Sequence, residues 1–328
     1  MNLRRALTVL ATALAVVSAM LAADAQPTKI PRIGVLVTGP PPGEHVCVVK
    51  IRQGFADLGY VEGRNLMLES QWAPGQPEDT FPRLGKKLVA SGVDVVVSVW
   101  SEGLIEAREA LATVPVVMAV SAHPVERGLI ASLNRPGGNV TGLATFTDDM
   151  FAKRVQLVAE TLPGVSRIAV LRLPGEQNGL IVRDLGVAAQ RLGAKLQVIE
   201  VKSPEDLARA FQGAVRDRAQ AIMTTQGPFF VQHNRVLADL ALKHRLPIFT
   251  GEPGAADAGV LMTHGASIPE SCRRSATFVD RILKGAKPGD LPVEQPTKFE
   301  LSINVKTAKA MGLTIPLSLV QRADRIIE

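Results

Sequence analysis

Short aliphatic runs alternate with amphipathic helical stretches along most of the chain. The runs are rich in β-branched residues, and Gly, Pro, Ser or Asp residues bound them. Those at 93–97 and 116–120 are almost continuously hydrophobic instead of alternating, which is typical of strands buried on both faces. Strands of this kind form parallel sheets that helices cover on both sides. The pattern therefore predicts an α/β protein.

The alternation predicts eleven strands and ten helical stretches. Strands are expected at 33–37, 65–69, 93–99, 115–120, 140–146, 167–171, 195–201, 219–224, 247–250, 260–263 and 299–305. Helices are expected at 47–58, 79–90, 102–112, 124–133, 150–162, 179–192, after a cap at Ser203, at 229–244, at 271–283 and in a short C-terminal stretch.

The series of elements begins again after a break at 135–142, so the chain is predicted to hold two doubly wound units in tandem. No Ser-, Gly- or Pro-rich linker separates the units, which indicates a tight junction. The elements after residue 268 are too few for a third domain and are expected to join the first two. Because ligands favour domain interfaces, the cleft between the units is the predicted binding site.

Composition supports a globular chain and excludes several functional classes. The 328 residues are 46% hydrophobic and 21% charged, enough for two packed domains. Two cysteines cannot supply a four-ligand structural zinc site, and thirteen aromatic residues argue against an aromatic cage. The net charge of +6 comes from scattered Lys and Arg residues, so no nucleic-acid partner is expected.

The first 25 residues have the form of a secretory signal peptide. Arg4 and Arg5 precede an apolar stretch at 6–23, and Ala23-Asp24-Ala25 is a small-x-small cleavage site. An uncleaved membrane anchor is the alternative, because the stretch just reaches spanning length, but it is Ala-rich and only weakly apolar. No cysteine lies near the cleavage point. We therefore expect a periplasmic protein of about 303 residues that is not a lipoprotein.

Motifs for catalysis are missing from the sequence. It has no Gly-x-Ser-x-Gly, His-Glu-x-x-His, Cys-x-x-Cys or Gly-x-x-x-x-Gly-Lys motif, so no catalytic residue, metal or cofactor is predicted. A transcriptional regulator would need a helix-turn-helix before the first strand, where this chain has the signal-like segment. A solute-sensing protein that reports to a membrane receptor remains open.

Two long stretches resemble one family. Residues 124–142 (PVERGLIASLNRPGGNVTG) and 282–301 (ILKGAKPGDLPVEQPTKFEL), with 304–313, are similar to the substrate-binding proteins of ABC transporters of the tryptophan/tyrosine-binding type, and 244–247 agrees more weakly. The resemblance covers essentially the whole mature chain. It implies the type I periplasmic-binding-protein fold, in which two Rossmann-like lobes are joined by a three-crossover hinge.

The resemblance also implies a domain division and a function. Lobe 1 would comprise 26–145 plus about 268–298, and lobe 2 would comprise 146–267 plus about 299–328. The protein would capture an amino-acid-like or aromatic carboxylate solute as a monomer and deliver it to an ABC permease. The fold would place Cys47 and Cys272 in one lobe. The two cysteines either form a disulfide or remain as buried thiols, and we favour the disulfide.

Ligands of such folds bind beyond the carboxyl ends of parallel strands. The residues expected there are Thr38, Trp100, Ser101, Glu102, Ser121, His123, Thr225, Gln226, Glu252 and His264. Trp100 is a candidate stacking wall, and Glu252 could pair with a ligand amine. The family resembled here usually has an acidic residue and a tyrosine where this chain has His123 and His264, which puts an aromatic amino-acid ligand in doubt.

Overall fold

A computed structural model describes residues 29–38, 45–73, 80–225 and 227–328, without the side chains of 148 and 176–178. The expected signal peptide at 1–25 and the candidate residue Gln226 lie outside the described residues.

The first sheet has five parallel strands in the order β2-β1-β3-β4-β5. Its strands are β1 (Arg32–Thr38), β2 (Met67–Ala73), β3 (Val95–Ser98), β4 (Val116–Met118) and β5 (Val140–Gly142). The helices between them are α1 (Val46–Asp57), α2 (Thr80–Ala90) and α3 (Ser101–Ala107). As the hydrophobic runs predict, Val95, Val96 and Val97 are buried on both faces of the sheet.

The second sheet has seven strands in the order β12-β11-β10-β9-β8-β6-β7. They are β6 (Arg167–Arg172), β7 (Lys195–Glu200), β8 (Ala221–Thr224), β9 (Ile248–Thr250), β10 (Met262–Gly265), β11 (Glu300–Asn304) and β12 (Arg325–Ile327). Only the pairing of β10 with β11 is antiparallel among these. The helices after β5 are α4 (Asp148–Thr161), α5 (Glu176–Arg191), α6 (Asp206–Arg216), α7 (Pro228–Gln232), α8 (Asn234–His244), α9 (Ile268–Leu283), α10 (Val305–Met311) and α11 (Leu317–Arg322).

The chain crosses between the two sheets three times. It leaves the first sheet after β5, returns between β10 and α9, and crosses again between residue 291 and β11. The first and third crossings run side by side, because the amide of Ala144 donates to the carbonyl of Glu294, whose own amide donates to the carbonyl of Gly142. The predicted α/β fold with two parallel-sheet lobes and a three-crossover hinge is thereby confirmed.

We call the first sheet with α1–α3 and α9 the first lobe, and the second sheet with the remaining helices the second lobe. Helix α9 follows β10 in sequence but packs along α1. A disulfide between Cys47 in α1 and Cys272 in α9, with a Cα–Cα distance of 5.2 Å, ties the two helices together. The first lobe is thus built from two segments that lie far apart in sequence.

Three sequence predictions about local structure are wrong. Residues 124–133 form successive turns instead of a helix, because Gly128, in the middle of this stretch, has a φ angle of 65°. The predicted helix at 229–244 is two helices that meet at His233, whose Nδ1 contacts the carbonyl oxygen of Phe229. The helix predicted to begin directly after a cap at Ser203, with Pro204 and Glu205 in its first turn, begins at Asp206, whose carboxylate accepts from the amides of 202 and 203.

Smaller differences concern element boundaries. Strand β2 starts two residues later than predicted and is longer, α9 starts three residues earlier, and β12 has no counterpart in the prediction. In the described ranges, no helix combines the length and the apolar character needed to cross a membrane.

We predict that the disulfide contributes about 2–4 kcal/mol to the free energy of unfolding. It joins residues 225 positions apart and so restricts the unfolded chain strongly. Urea unfolding followed by far-UV circular dichroism should show the loss in the Cys47→Ser/Cys272→Ser variant and in reduced wild type. Adding dithiothreitol to the double variant should change nothing, and superimposable oxidised and reduced wild-type curves would contradict the prediction.

Candidate functional site

The carboxyl ends of the central strands of the two sheets face each other across a cleft. His123, which follows β4, approaches Asp184 of α5 with an Nε2–Oδ2 distance of 3.1 Å. Its ring also stacks on Phe151 of α4, with the centroids 6.0 Å apart. His123 belongs to the first lobe and both contacts belong to the second, so this residue bridges the cleft directly.

A cavity of about 770 Å³ opens between the lobes. Its lining residues from the first lobe and the adjoining crossover include His45, Cys47, Trp100, Ser267 and Ile268. Those from the second lobe include Pro228, Val231, Gln232, Asn234, Arg235, Glu252, Pro253 and Ala255. The wall is predominantly apolar with a few polar groups, which is the usual character of a small-molecule site.

Trp100 forms part of this apolar wall. It lies between β3 and α3 in an extended backbone conformation. The indole ring is 5% exposed and stacks on Phe146 of the first crossover, with the centroids 6.3 Å apart. Sequence reasoning placed Trp100 in the cleft, and the structure puts it on the cavity surface.

Glu252 is the buried carboxylate of the cavity. It follows β9 and is only 4% exposed. Its Oε2 accepts a hydrogen bond from Thr250, whose hydroxyl accepts one from Thr224 at 3.0 Å. Its Oε1 has no hydrogen-bond partner in the part of the chain that the structure describes. Burial raises the pKa of Glu252, although Thr250 and Arg154 oppose this shift.

Arg154 is the main residue that sequence reasoning missed. It lies on α4, is 1% exposed, and its Nε donates to the carbonyl oxygen of His264 over 3.3 Å. Its Cζ lies 5.4 Å from the centroid of the Phe151 ring. Desolvation lowers the pKa of Arg154 to about 10, against the opposing effect of Glu252, so the side chain is a cation at neutral pH.

The sequence did contain a signal for Arg154. Helix α4 buries Met150, Phe151, Val155 and Val158, and Arg154 falls on the same stripe at helical spacing. A lone arginine on an apolar stripe is uncommon, because burying a guanidinium is costly unless a partner compensates it. That partner cannot be identified from α4 alone, since the neighbouring groups come from β9 and β10.

His264 lies in β10 beside Arg154. Its ring stacks on Phe299 at the third crossover, with the centroids 5.8 Å apart. Burial, and then the positive charges of Arg154 and Lys153, lower the pKa of His264 to about 4. The imidazole is therefore neutral near pH 7. Its Nδ1 finds no hydrogen-bond partner among the described residues.

Three of the remaining candidates lie close together: Ser101, Ser121 and Glu102. The Ser101 hydroxyl accepts from Arg127 at 2.7 Å, and that of Ser121 donates to the carbonyl of Leu143 at 2.7 Å, so both are engaged within the first lobe and its crossover. Glu102 lies 3.9 Å from Arg127. With Trp100, these three line a narrow enclosed cavity that Ile181 of the second lobe closes.

Thr225 follows β8 and is buried, and its Oγ1 has no hydrogen-bond partner within the described ranges. Thr38 ends β1 opposite Ala73 and does not line the 770 Å³ cavity. Within the described residues, no group of three or more His, Cys, Asp or Glu side chains is arranged to hold a metal ion.

Comparison with known proteins agrees with this architecture. Residues 32–327 match the family described as ABC transporter substrate binding protein. The chain belongs to this family of ABC transporter substrate-binding proteins. The resemblance seen in the two sequence stretches is confirmed, and so is the predicted function of solute binding for an ABC transporter. Members of the family are extracytoplasmic and bind substrates without transforming them.

Individual members of the family are similar over most of the chain. A tyrosine-binding protein of Clostridioides difficile is 25% identical, over 82% of this substrate-binding protein and 79% of the relative. The structure of an ABC domain from Streptococcus pneumoniae in complex with L-Trp has a TM-score of 0.83 at 25% identity, covering 90% of this chain and 99% of that one. A conserved domain protein of Vibrio cholerae has a TM-score of 0.82 at 26% identity, with 91% and 100% coverage.

We predict that His264 makes this substrate-binding protein less stable in mild acid. Its pKa of about 4 in the folded state lies below the ordinary histidine value of 6.5, so the unfolded chain binds more protons as the pH falls between these values. Relative to His264→Gln, the wild type should lose about 1–2 kcal/mol of unfolding free energy from about pH 7 to about pH 4.5.

Urea midpoints at the two pH values measure this difference. His244→Gln is the matched control, because His244 lies at the end of α8 and stacks on Phe211 away from the cleft. An equal acid loss in wild type and His264→Gln would contradict the prediction.

Proposed function

We propose that the mature protein begins at residue 26, resides in the periplasm without a lipid anchor, and captures one small solute between its lobes. Lobe 1 comprises 26–145 and about 268–298, and lobe 2 comprises 146–267 and about 299–328. The protein acts as a monomer without catalytic activity and presents its solute-loaded form to an ABC permease. The observation that carries this proposal is the interlobe cavity, to which both lobes and a crossover contribute residues.

The cavity chemistry supports a solute with an apolar body and a polar end. Trp100, Val231 and Ile268 provide apolar surface on which an aromatic or aliphatic group packs. Glu252 provides a buried carboxylate whose Oε1 has no hydrogen-bond partner among the described residues, which suits a ligand amine. An amino-acid-like solute meets both requirements. The relatives that bind tyrosine and L-Trp agree with that class without fixing the side chain.

Eight other candidates from the sequence remain predicted ligand residues: Thr38, Ser101, Glu102, Ser121, His123, Thr225, Gln226 and His264. The hydroxyls of Ser101 and Ser121 already have protein partners, so their contribution would require an accepted hydrogen bond or a local rearrangement. Thr225 and His264 retain polar atoms without a protein partner in the described ranges and need no such rearrangement.

We predict that Trp100 reports solute binding by fluorescence. The chain has two tryptophans, so Trp72→Phe leaves Trp100 as the only one. In refolded, ligand-free Trp72→Phe protein, a bound solute should change the emission of Trp100, because this ring lines the cavity. The same solute at one hundred times its dissociation constant should raise the unfolding free energy by about 2.7 kcal/mol.

The measurement is a titration with a panel of amino acids, aromatic acids, purines and oligopeptides, with a thermal scan for each. Trp100→Phe, which retains Trp72, is the matched control and should show a much smaller fluorescence response. A panel member that stabilises the protein but leaves the Trp100 emission unchanged would place its site outside this cavity.

We predict that the contact between His123 and Asp184 holds the lobes together around the solute. Asp184→Ala removes the carboxylate whose Oδ2 lies 3.1 Å from Nε2 of His123 across the cleft, and with it the attraction between the lobes at this contact. Solute affinity should fall about tenfold or more, mainly through faster dissociation.

Stopped-flow displacement and small-angle X-ray scattering measure the dissociation rate and the lobe separation. Asp217→Ala is the control, because Asp217 is exposed on the second lobe and pairs with Arg216 far from His123. Equal dissociation rates for wild type and Asp184→Ala would contradict the prediction.

A further inference from the structure

The disulfide between Cys47 and Cys272 lies at the wall of the interlobe cavity as well as inside the first lobe. Cys47 is the second residue of α1 and is one of the residues that line the cavity. Cys272, in α9, is fully buried in the core of the lobe. The bond therefore connects the surface that meets the solute with the packed interior of the first lobe.

Helices α1 and α9 both present their N-terminal ends to the cavity. His45 and Val46 line it at the start of α1, and Ser267 and Ile268 line it at the start of α9. Nδ1 of His45 caps α1 by accepting from the amide of Cys47 at 3.3 Å, and the hydroxyl of Ser267 caps α9. Because the backbone of Cys47 holds the ring of His45, a displacement of this cysteine moves part of the cavity wall.

Other contacts between the two helices lie away from this wall. Arg273 donates from Nε to Asp57 at 2.7 Å, and the hydroxyl of Tyr60 donates to Asp280 at 3.0 Å. Gly54 packs so closely on α9 that a Cβ atom would lie 2.2 Å from the carbonyl oxygen of Arg273. None of these five residues lines the cavity. Without the disulfide, the C-terminal half of α1 therefore keeps its contacts with α9, whereas the first turn loses its cross-link.

The first turn of α1 depends on this cross-link more than the rest of the helix does. Two of its four residues, Val46 and Val49, are exposed. The ring of His45 makes an edge-on contact with Trp72 of β2, with the centroids 5.7 Å apart, and such contacts are individually weak. Loss of the disulfide should therefore displace the first turn and leave the remainder of the lobe in place.

We propose that the disulfide between Cys47 and Cys272 is a positioning element of the solute site, which holds the first turn of α1 where His45 and Val46 meet the solute. This inference rests on the proposed capture of a solute between the lobes and adds a redox dependence to it. The oxidised protein binds solute tightly, and reduction weakens binding without unfolding the lobe. Because coupling between two sites is reciprocal, bound solute opposes reduction of the disulfide by the same factor.

Reduction of the bond is a two-electron thiol–disulfide exchange with a dithiol. One thiolate of dithiothreitol attacks a sulfur of the disulfide, forms a mixed disulfide and releases the other cysteine, which takes up a proton. The second thiolate of dithiothreitol then attacks the mixed disulfide and releases the first cysteine, which is also protonated. The products are two cysteine thiols and cyclic oxidised dithiothreitol, so electrons and protons balance.

The first experiment compares solute affinity with and without the disulfide. Refolded, oxidised wild type and Cys47→Ser/Cys272→Ser are titrated by calorimetry with L-tryptophan, L-leucine, benzoate, adenine and trialanine, well below both unfolding midpoints. The probe that binds wild type most tightly should bind the double variant about five times more weakly or worse, the lower end of typical coupling between sites. Equal affinities overturn the positioning role. A double variant whose circular dichroism shows it to be unfolded also overturns it, since the bond would then be purely structural.

Tyr60→Phe is the matched control for this comparison. It removes the hydrogen bond to Asp280 and so loosens the same pair of helices at the end away from the cavity, while the ring keeps its edge-on contact with Phe55. The positioning role predicts wild-type affinity in this variant. A general loss of packing between α1 and α9 predicts weaker binding in both variants, so an equal loss in Tyr60→Phe contradicts the inference.

The second experiment measures the reciprocal effect on wild type. The reduced fraction is determined by thiol alkylation and mass spectrometry over a series of ratios of reduced to oxidised dithiothreitol, with and without the same probe at saturation. A fivefold coupling should raise the ratio needed for half reduction about fivefold, which is about 20 mV for a two-electron couple. Identical midpoints with and without the probe overturn the linkage.

The outcomes separate this inference from the proposed function. Binding of a probe to the oxidised wild type supports solute capture independently of the redox result. Binding that is equal with and without the disulfide removes the positioning role but leaves solute capture standing. Failure of every probe to bind the oxidised protein counts against both.

Discussion

The alignment of the two lobes depends on the pairing of the first and third crossovers. Backbone hydrogen bonds join Gly142 and Ala144 to Glu294, and the hydroxyl of Thr141 donates to the carbonyl of Leu291 at 2.7 Å. Arg274 of α9 adds two charge-assisted bonds to the carboxylate of Glu294, both 3.0 Å long. These bonds fix the spacing of the two crossovers and with it the placement of one lobe against the other.

The cleft combines an apolar cavity with an unusual concentration of buried charge. A protein selected only for stability would replace Arg154 and Glu252 with hydrophobic residues, since buried charges rarely repay their desolvation. Their retention at the edge of β9 and β10 is understandable if the binding of solute offsets that cost.

Much of the fold follows from local sequence patterns. Continuous aliphatic runs identified the buried parallel strands, and the break at 135–142 located the end of the first unit. The failures occur where backbone conformation depends on distant contacts. Residues 124–133 have a helical composition, but the left-handed backbone conformation of Gly128 interrupts the stretch. Strand β12 is only three residues long and forms only because β11 provides an edge for it.

The candidate site was accessible from sequence only in part. Residues that directly follow strands, such as Trp100 and Glu252, are found by the rule that ligands bind beyond strand ends. Arg154 is on a helix, and its role depends on groups about one hundred residues later in the chain, so no local pattern reveals its partners. The disulfide also could not be decided from sequence, because spacing gives no Cα separation, whereas the packing of α9 along α1 brings the two cysteines within reach.

The return of α9 to the first lobe has a consequence for how the protein folds. Helix α1 cannot obtain its packing partner until nearly three hundred residues have emerged, since α9 ends at Leu283. The first lobe is therefore completed after the second lobe already has most of its strands, although it comes first in the chain.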